Sequence, residues 1–308
     1  MTTNCRFLAL AAVCQLAAAS AASALSYTHI EDCGAVVVGA AILRRDLHCT
    51  DPDTPAIHFA GGGSLDMQGH EITSTGTGIS AERSLRLYST LGASRIQAPL
   101  AIRGGDGSTY ALGPKLDITG LDIVGRVLAR RLHMRDGSVT GVTSASDPAV
   151  STIVYASLVR TVVAGNAGVA VVGGSVRLRD SEITDNGGHG IVARIVTVIG
   201  SAIDGNDGGG ISAQSHARVL GGSSITGNAL FGLLYEGLGR NPLASGPEIG
   251  ASAVTANVSS PQCASQSGNA ARCADIASSF LPVLRRGGSC DTSSRLTDGE
   301  PWGVCAED

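Results

Sequence analysis

The sequence predicts an all-β fold, a single-stranded parallel β-helix that winds into stacked coils of about 20 to 22 residues. Three observations predict it. A motif in which Ile or Val is followed three residues later by Asn recurs at this interval. Short segments alternate apolar and polar residues, as β-strands do. The chain also has 42 glycines and only 3% aromatic residues, which favours short strands and tight turns over a core of large side chains.

The repeat is clearest where SEITDNGGHGIVA (181–193) is followed by SAIDGNDGGGISA (201–213). Similar units precede and follow this pair. Their asparagines are Asn166, Asn186, Asn206 and Asn228. We expect these residues to occupy one turn of successive coils, because Asn tolerates left-handed backbone angles and its amide can bond to the Asn above and below. Their predicted role is therefore structural.

Earlier segments fit the same frame more loosely. In each of them two apolar residues are separated by one position, a third follows five positions later, and all three are expected to point inward. These segments are 65–72, 116–123 and 127–134. The spacing between these segments is irregular, so the coil register between about 85 and 150 stays open.

The ends of the chain divide it into three predicted regions. Arg6, a short apolar stretch over 7–19 and the small residues at 22–24 predict a signal peptide over 1–24. The β-helix is expected over 25–260 and a cysteine-containing C-terminal cap over 261–308, with a short helix over 274–284. No later segment is apolar for long enough to span a membrane. Export to the extracellular space, the periplasm or the cell surface follows.

Six cysteines remain after the leader, and an even number in an exported chain predicts disulfides. They are Cys33, Cys49, Cys263, Cys273, Cys290 and Cys305. Pairing of sequence neighbours gives 33–49, 263–273 and 290–305. Six cysteines allow about fifteen pairings, and only Cys33–Cys49 stands apart at its own end of the chain. A zinc cluster is the weaker alternative, because no C-x-x-C pair occurs.

The charge is mild, at −4, and Lys115 is the only lysine. A nucleic-acid-binding protein would normally carry a basic surface, so nucleic acid is not an expected partner.

These features resemble bacterial secreted right-handed parallel β-helix proteins of the pectate-lyase-like superfold. The resemblance rests on the I-x-x-N units and on the opening CGAVVVGAAILRRDLHCT, which is followed by GGGSLDMQGHEI. The tail SCDTSSRLTDGEPWGVCAED is also similar to the cysteine-bearing end of some members. The resemblance implies the fold with its disulfide-held terminal caps. It implies no single activity, because the superfold includes lyases, hydrolases, epimerases and adhesins.

Within that group, hydrolase motifs do not fit. Gly188-His189-Gly190 and Arg194-Ile195 are superficially similar to the hydrolase pattern, but the upstream aspartate motifs are missing and Val196 replaces the expected lysine. His189 shares a column with Gly209 and Phe231, which predicts a turn-packed or solvent-facing residue.

Lyases and epimerases of uronic acids instead need a cation to neutralise the sugar carboxylate and a base to remove the adjacent proton. Arg177 and Arg218 are expected on one sheet face two coils apart, and Asp204 beside Thr184 and Thr226. No metal site is predicted and no cofactor is evident, although Ca²⁺ stays open. The candidate catalytic residues are Arg177, Asp180, Asp185, His189, Arg194 and Asp204.

The sequence therefore predicts an exported, monomeric β-helix protein that binds or modifies an extracellular polysaccharide or cell-surface glycan, with uronic acid as the expected charged component. Whether it is an enzyme is left open; a lyase or epimerase is favoured over a hydrolase. The alternative is a non-catalytic, adhesin-like surface protein.

Overall fold

A computed structural model describes residues 27–105, 114–238, 246–258 and 272–308. It confirms the predicted parallel β-helix: every pairing between its strands is parallel and joins one coil to the next. No α-helix occurs among the residues it describes. The predicted signal peptide and Cys263 lie outside the described residues.

Each coil has three faces. A strand of the first face turns a corner into a strand of the second, and a short turn leads to the third face, which is a separate sheet of 11 strands. We call these face 1, face 2 and face 3. In several coils faces 1 and 2 are formed by one bent strand of 9 or 10 residues, and the bend is marked by a register shift such as that between Ala193 and Ile195.

The strands of faces 1 and 2 are β1 (Thr28–Ile30), β2 (Ala35–Leu43), β4 (Ile57–Asp66), β6 (Thr77–Ala81), β7 (Leu85–Tyr88), β9 (Leu100–Gly104), β10 (Lys115–Thr119), β12 (Val127–Arg135), β14 (Val150–Val159), β16 (Val171–Arg179), β18 (Ile191–Ile199), β20 (Ile211–Leu220), β22 (Leu233–Tyr235), β23 (Glu248–Gly250), β25 (Ile276–Ser278), β26 (Val283–Arg285) and β28 (Ser293–Arg295). The strands of face 3 are β3 (Leu47–Cys49), β5 (Glu71–Ser74), β8 (Ser94–Gln97), β11 (Leu121–Val124), β13 (Ser138–Thr140), β15 (Val162–Ala164), β17 (Glu182–Thr184), β19 (Ala202–Asp204), β21 (Ser224–Thr226), β24 (Ala253–Thr255) and β27 (Ser289–Cys290).

The core consists of columns of aliphatic side chains that point inward from stacked strands. On face 3 one column contains Ile183, Ile203 and Ile225, each directly opposite the next and fully buried. On face 1 an equivalent column contains Val171 and Ile191. Because side chains alternate along a strand, the neighbours of each inward residue face solvent. The register of the coils therefore determines which residues are on the surface.

The looser frames are confirmed only in part. The segment 116–123 has the predicted register, with Leu116 opposite Leu132 and Ile123 opposite Val139. The frame at 127–134 is wrong, because Val127 lies on face 1 opposite Val150, and the equivalent segment is 132–139. The frame at 65–72 is shifted by two residues on face 2, where Leu65 lies opposite Leu87. The error at 127–134 arises because the alternation continues through the corner between faces 1 and 2. The shift at 65–72 arises because the turn from face 2 to face 3 is longer in this coil than in the coil of Ile118.

The predicted asparagine ladder is present and is longer than the sequence indicated. The side-chain Nδ2 of each member donates to Oδ1 of the next at 2.8–2.9 Å. Each Oδ1 of the later asparagines also accepts the backbone N–H of the preceding one at 3.2–3.3 Å. The ladder provides hydrogen-bond partners for buried amide groups at this turn, where no strand pairing provides them. Its members are Asn166, Asn186, Asn206, Asn228 and Asn257, and it ends at the carboxylate of Asp275.

A second ladder, which the sequence analysis missed, lies at the turn from face 2 to face 3. Its hydroxyl groups accept the backbone N–H of the previous member at 3.1–3.3 Å. A Ser or Thr two residues before the inward Ile or Val of face 3 is the signal for it. The members are Thr161, Ser181, Ser201, Ser223 and Ser252.

Disulfides hold both ends of the solenoid. Cys33–Cys49 crosses the first coil, and Cys290–Cys305 ties the tail to the last strand of face 3, as predicted. Cys273 is also disulfide-bonded, while its predicted partner lies outside the described residues. Strands β25 to β28 pair in parallel with the coils before them, so coils continue beyond residue 260.

The short helix predicted over 274–284 is wrong. Strand β25 lies within this segment and β26 begins there. Ile276 pairs with Leu233 on face 1, and Leu284 pairs with Ile249 on face 2. The apolar residues of this segment therefore extend the inward columns of the coils, and do not form one side of a helix.

The ladder generates a stability prediction. Asn206→Ala removes the acceptor of two Asn186 donors and the donor to Asn228, leaving buried groups without partners. We expect a loss of about 3 kcal/mol in the free energy of unfolding. The matched control Ser224→Ala, on the outer surface of face 3 in the next coil, should change it by less than about 0.5 kcal/mol. Equal urea midpoints for the two variants would contradict a stabilising ladder.

Candidate functional site

The structure distributes the six sequence-predicted candidates around the perimeter of the coils. Arg177 is exposed on face 2 and Asp204 on face 3. Arg194 is exposed at the corner between faces 1 and 2. Asp204 lies beside Thr184 and Thr226, as expected. The six side chains therefore do not line one common groove.

Asp180 and Asp185 occupy turns. Their φ angles of 50° and 54° lie in the left-handed region. The equivalent residues of the next coil are Gly200 and Gly205, with φ of 58° and 63°. Aspartate is one of the few residues other than glycine that tolerates this conformation. The left-handed backbone of these turns therefore explains why aspartate occurs at both positions.

His189 packs inside a turn. Its Nδ1 accepts the backbone N–H of Gly209 at 2.6 Å, and its ring lies 5.3 Å from the ring of Phe231. Burial lowers the pKa of the His189 imidazole. These contacts agree with the turn-packed position expected from its column.

Arg177 is part of a different candidate site, which lies on face 2. It lies opposite Thr197, which lies opposite Arg218, so the two arginines share a column of face 2 two coils apart, as predicted. The outward positions of this face are strongly basic. The face 2 cations are Arg86, Lys115, Arg131, Arg135, Arg177, Arg179, Arg218 and Arg285.

The acids of face 2 are already engaged. Asp66 is buried and accepts bonds from Thr90, and Asp117 pairs with Lys115 at 2.9 Å. Glu248 pairs with Arg218 and Arg285 at 2.8 and 2.9 Å. Within the described part of the chain, the remaining face 2 arginines have no ion-pair partner. They are Arg86, Arg131, Arg135, Arg177 and Arg179.

Face 3 differs in charge from face 2. The outward positions of face 3 include Glu71, Asp122, Glu182 and Asp204 against a single arginine, Arg95. Opposite charges are thus separated onto different sides of a molecule whose net charge is only −4. Such a separation produces a positive potential along face 2 that the total charge does not reveal.

A groove of about 390 Å³ lies where the basic face is densest. Its walls come from β7, β10 and β12, and its titratable lining residues are Arg86, Lys115, Asp117, His133 and Arg135. Strand β14 places Tyr155 next to it, with its ring 5.4 Å from the ring of His133. Arg86 lies 5.1 Å from the ring of Tyr88, a cation–π contact that orients its guanidinium group. Three cationic side chains, one carboxylate and one imidazole therefore line the same groove.

The groove lowers the pKa of His133. Burial is the main cause, and the positive charges of Lys115 and Arg135 act in the same direction, while Asp117 opposes them. The pKa of this imidazole is therefore below its ordinary value of 6.5, and the ring is mostly neutral at neutral pH. A neutral imidazole can accept a proton, which is the chemical capacity that the groove adds to its cations.

The sequence analysis missed this groove. Lys115, Asp117 and His133 are outward neighbours of the inward residues Leu116 and Leu132. The alternation around Leu116 was readable, but the wrong frame at 127–134 equated Met134 with Ile123 and so placed His133 on a different face from Lys115 and Asp117.

A second cavity of about 530 Å³ lies at the corner between faces 3 and 1. It includes Arg126 and Asp147, which pair at 2.8 Å, so its cation is already neutralised. Among the described residues no group of three or more His, Cys, Asp or Glu side chains is arranged to hold a metal ion. Nor does any described helix have the length and apolar character needed to cross a membrane.

The groove generates a titration prediction. Lys115→Met removes a positive neighbour and should raise the pKa of His133, whereas Asp117→Asn removes a negative neighbour and should lower it further. NMR titration of the His133 imidazole in each variant measures both shifts. Shifts in the same direction, or none, would show that these charges do not act on His133.

Comparison with known proteins supplies no function for this site. No protein-family model matches the sequence, and no curated protein matches it. Among solved structures, one similar chain is the A-module of a mannuronan C-5 epimerase from Azotobacter vinelandii. It shares 11% identity over 85% of this chain and 80% of that chain, with a TM-score of 0.37. A likeness at this level says nothing about substrate.

Proposed function

We propose that this protein belongs with the exported, pectate-lyase-like β-helix proteins and binds a uronic-acid-containing polysaccharide along face 2, acting as a monomer. The supporting observation is the line of unpaired arginines on alternate coils of this face, from Arg86 through Arg135 to Arg179. A linear polyanion laid along the helix axis would meet them one after another.

Arginine suits this role. Its planar guanidinium group can donate two parallel hydrogen bonds to one carboxylate. A single exposed ion pair contributes little, about 0–1 kcal/mol. Affinity therefore depends on several pairs forming along one chain. Face 2 fulfils this requirement because Arg135 and Arg179 lie in one column, two coils apart.

The groove also supports chemical modification of the bound sugar. Arg86 and Arg135, which have no ion-pair partner among the described residues, would neutralise a uronate carboxylate and so acidify the adjacent C–H, and the neutral His133 would accept that proton. The electron pair of the broken C5–H bond then forms a C4=C5 double bond as the C4–O4 bond breaks, and a proton from the imidazolium or from water passes to the leaving oxygen, which gives elimination. Delivery of a proton from water to the opposite face of C5 instead gives epimerisation.

Hydrolysis is less well supported, because glycosidases use two carboxyl groups flanking the bond. The groove lining contributes one carboxylate, Asp117, which is paired with Lys115. The alternative to catalysis is a surface or adhesin-like protein that binds the glycan without changing it. The same groove serves this role if His133 only contacts the chain.

Binding is tested by removing one positive charge from face 2. Arg135→Gln on face 2 should weaken binding to a uronic-acid polysaccharide roughly threefold to tenfold, because an arginine–carboxylate pair is lost. The matched control Arg95→Gln removes the same charge from face 3 and should leave affinity unchanged. Affinity electrophoresis in gels of alginate, pectin and glycosaminoglycans measures both.

Equal weakening by the two variants would show that only net charge matters. No retention by any of these gels would overturn the proposal. Stronger binding to single-stranded DNA than to every glycan would assign face 2 to nucleic acid instead.

Catalysis is tested separately from binding. We expect the protein to exchange the C5 proton of a uronate with D₂O or to form unsaturated uronate ends, with or without Ca²⁺. His133→Gln should reduce this rate by roughly 10²-fold or more with binding retained. His216→Gln, exposed on the same face outside the groove, should not. Binding without any turnover would select the non-catalytic alternative.

A further inference from the structure

Cations occur on every second coil of face 2. Unpaired arginines stand on β7 with Arg86, on β12 with Arg131 and Arg135, and on β16 with Arg177 and Arg179. Beyond them, Arg218 on β20 and Arg285 on β26 share the single carboxylate of Glu248, so these two coils together keep a positive charge. The strands between them carry no net positive charge at these outward positions. There, β10 has the Lys115–Asp117 pair, β14 has Tyr155, Ser157 and Val159, β18 has Ile195, Thr197 and Ile199, and β23 has Glu248.

The alternation is present in two parallel columns. In the middle column Ser157, Arg177, Thr197 and Arg218 follow one another in register. In the neighbouring column the order is Arg135, Val159, Arg179 and Ile199. Because successive coils are about 4.8 Å apart, the positive charges recur about every 10 Å along the axis.

A pyranose residue advances a glycan chain by approximately the thickness of one coil. A ligand lying along the axis would thus place one sugar over each coil. Each of its acid groups would meet an arginine if these groups recur on one side at every second sugar. The sugars between would lie over hydroxyl and apolar side chains such as Tyr155, Thr197 and Ile199, which bind an uncharged ring better than a carboxylate.

We infer that the polysaccharide recognised by face 2 is an alternating polymer, in which a uronic acid alternates with an uncharged sugar. This inference rests on the proposed function and specifies its substrate class. A chain with an acid on every sugar would place half of its charges over the uncharged coils, and a densely sulfated chain would place more there.

The decisive comparison uses two ligands with equal charge. A hyaluronan octasaccharide has four carboxylates on alternate sugars, and a galacturonate tetrasaccharide has four on consecutive sugars. Isothermal titration calorimetry should show tighter binding of the former. It should also show a gain in affinity with each added disaccharide of hyaluronan up to the length of the basic face.

A charge-conserving swap tests the spacing itself. The double variant Arg177→Thr with Thr197→Arg moves one cation by one coil without changing the net charge or any inward residue. Hyaluronan binding should weaken about fivefold, the scale of one lost ion pair, while binding of heparin should be unchanged. An unaltered thermal unfolding midpoint shows that the fold is intact.

The outcomes separate the two proposals. Binding that follows total charge, with no effect of the swap, would overturn the alternating spacing and leave polysaccharide binding standing. No binding of any glycan by the wild-type protein would overturn both. Preference for single-stranded DNA over both oligosaccharides would also overturn both.

Discussion

Hydrogen bonds between successive coils determine where the outward residues of this protein lie. The buried side chains of the asparagine and serine ladders keep these coils in register. Arg177 stands between Val176 and Leu178, which both point into the core. A slip of one residue would bury the guanidinium group and expose both aliphatic side chains. The ladders oppose such a slip, because Asn186 and Asn206 meet at 2.9 Å only in the observed register. The charge pattern on the surface thus depends on polar contacts in the interior.

Register also explains how an acidic protein can present a basic surface. The apolar residues of each strand point inward and form the columns of the core. The charged residues point outward, and the face on which each strand lies determines which side of the solenoid they occupy. Arg131 and Arg135 extend from face 2, while Asp122 and Glu182 extend from face 3. The opposite potentials lie on different sides of the solenoid, so each is felt by a ligand that approaches that side. Interactions of this kind are screened over about 10 Å at moderate salt, which restricts them to a chain lying directly on the face.

The sequence predicted the fold where the coils are regular and the site poorly where they are not. Units near Asn186 and Asn206 have equal length, so inward and outward residues could be read directly, and Arg177 was placed correctly. The candidates were drawn from these units, although Asp180 and Asp185 are explained by left-handed turns. The groove around His133 lies among coils whose corners and turns vary in length. There the same alternation fits the strands on either side of a corner, and only the pairing of the strands shows on which face an outward residue lies.

We propose that face 2, and no other surface, receives an acidic glycan chain. Backbone amide NMR during titration with a uronic-acid oligosaccharide locates the bound chain. Binding on face 2 should give chemical shift changes confined to the face 2 portions of β7, β10, β12, β14 and β16, with those of face 3 unchanged. Changes centred on the cavity that contains Arg126 and Asp147, or on the outward residues of face 3, would contradict it.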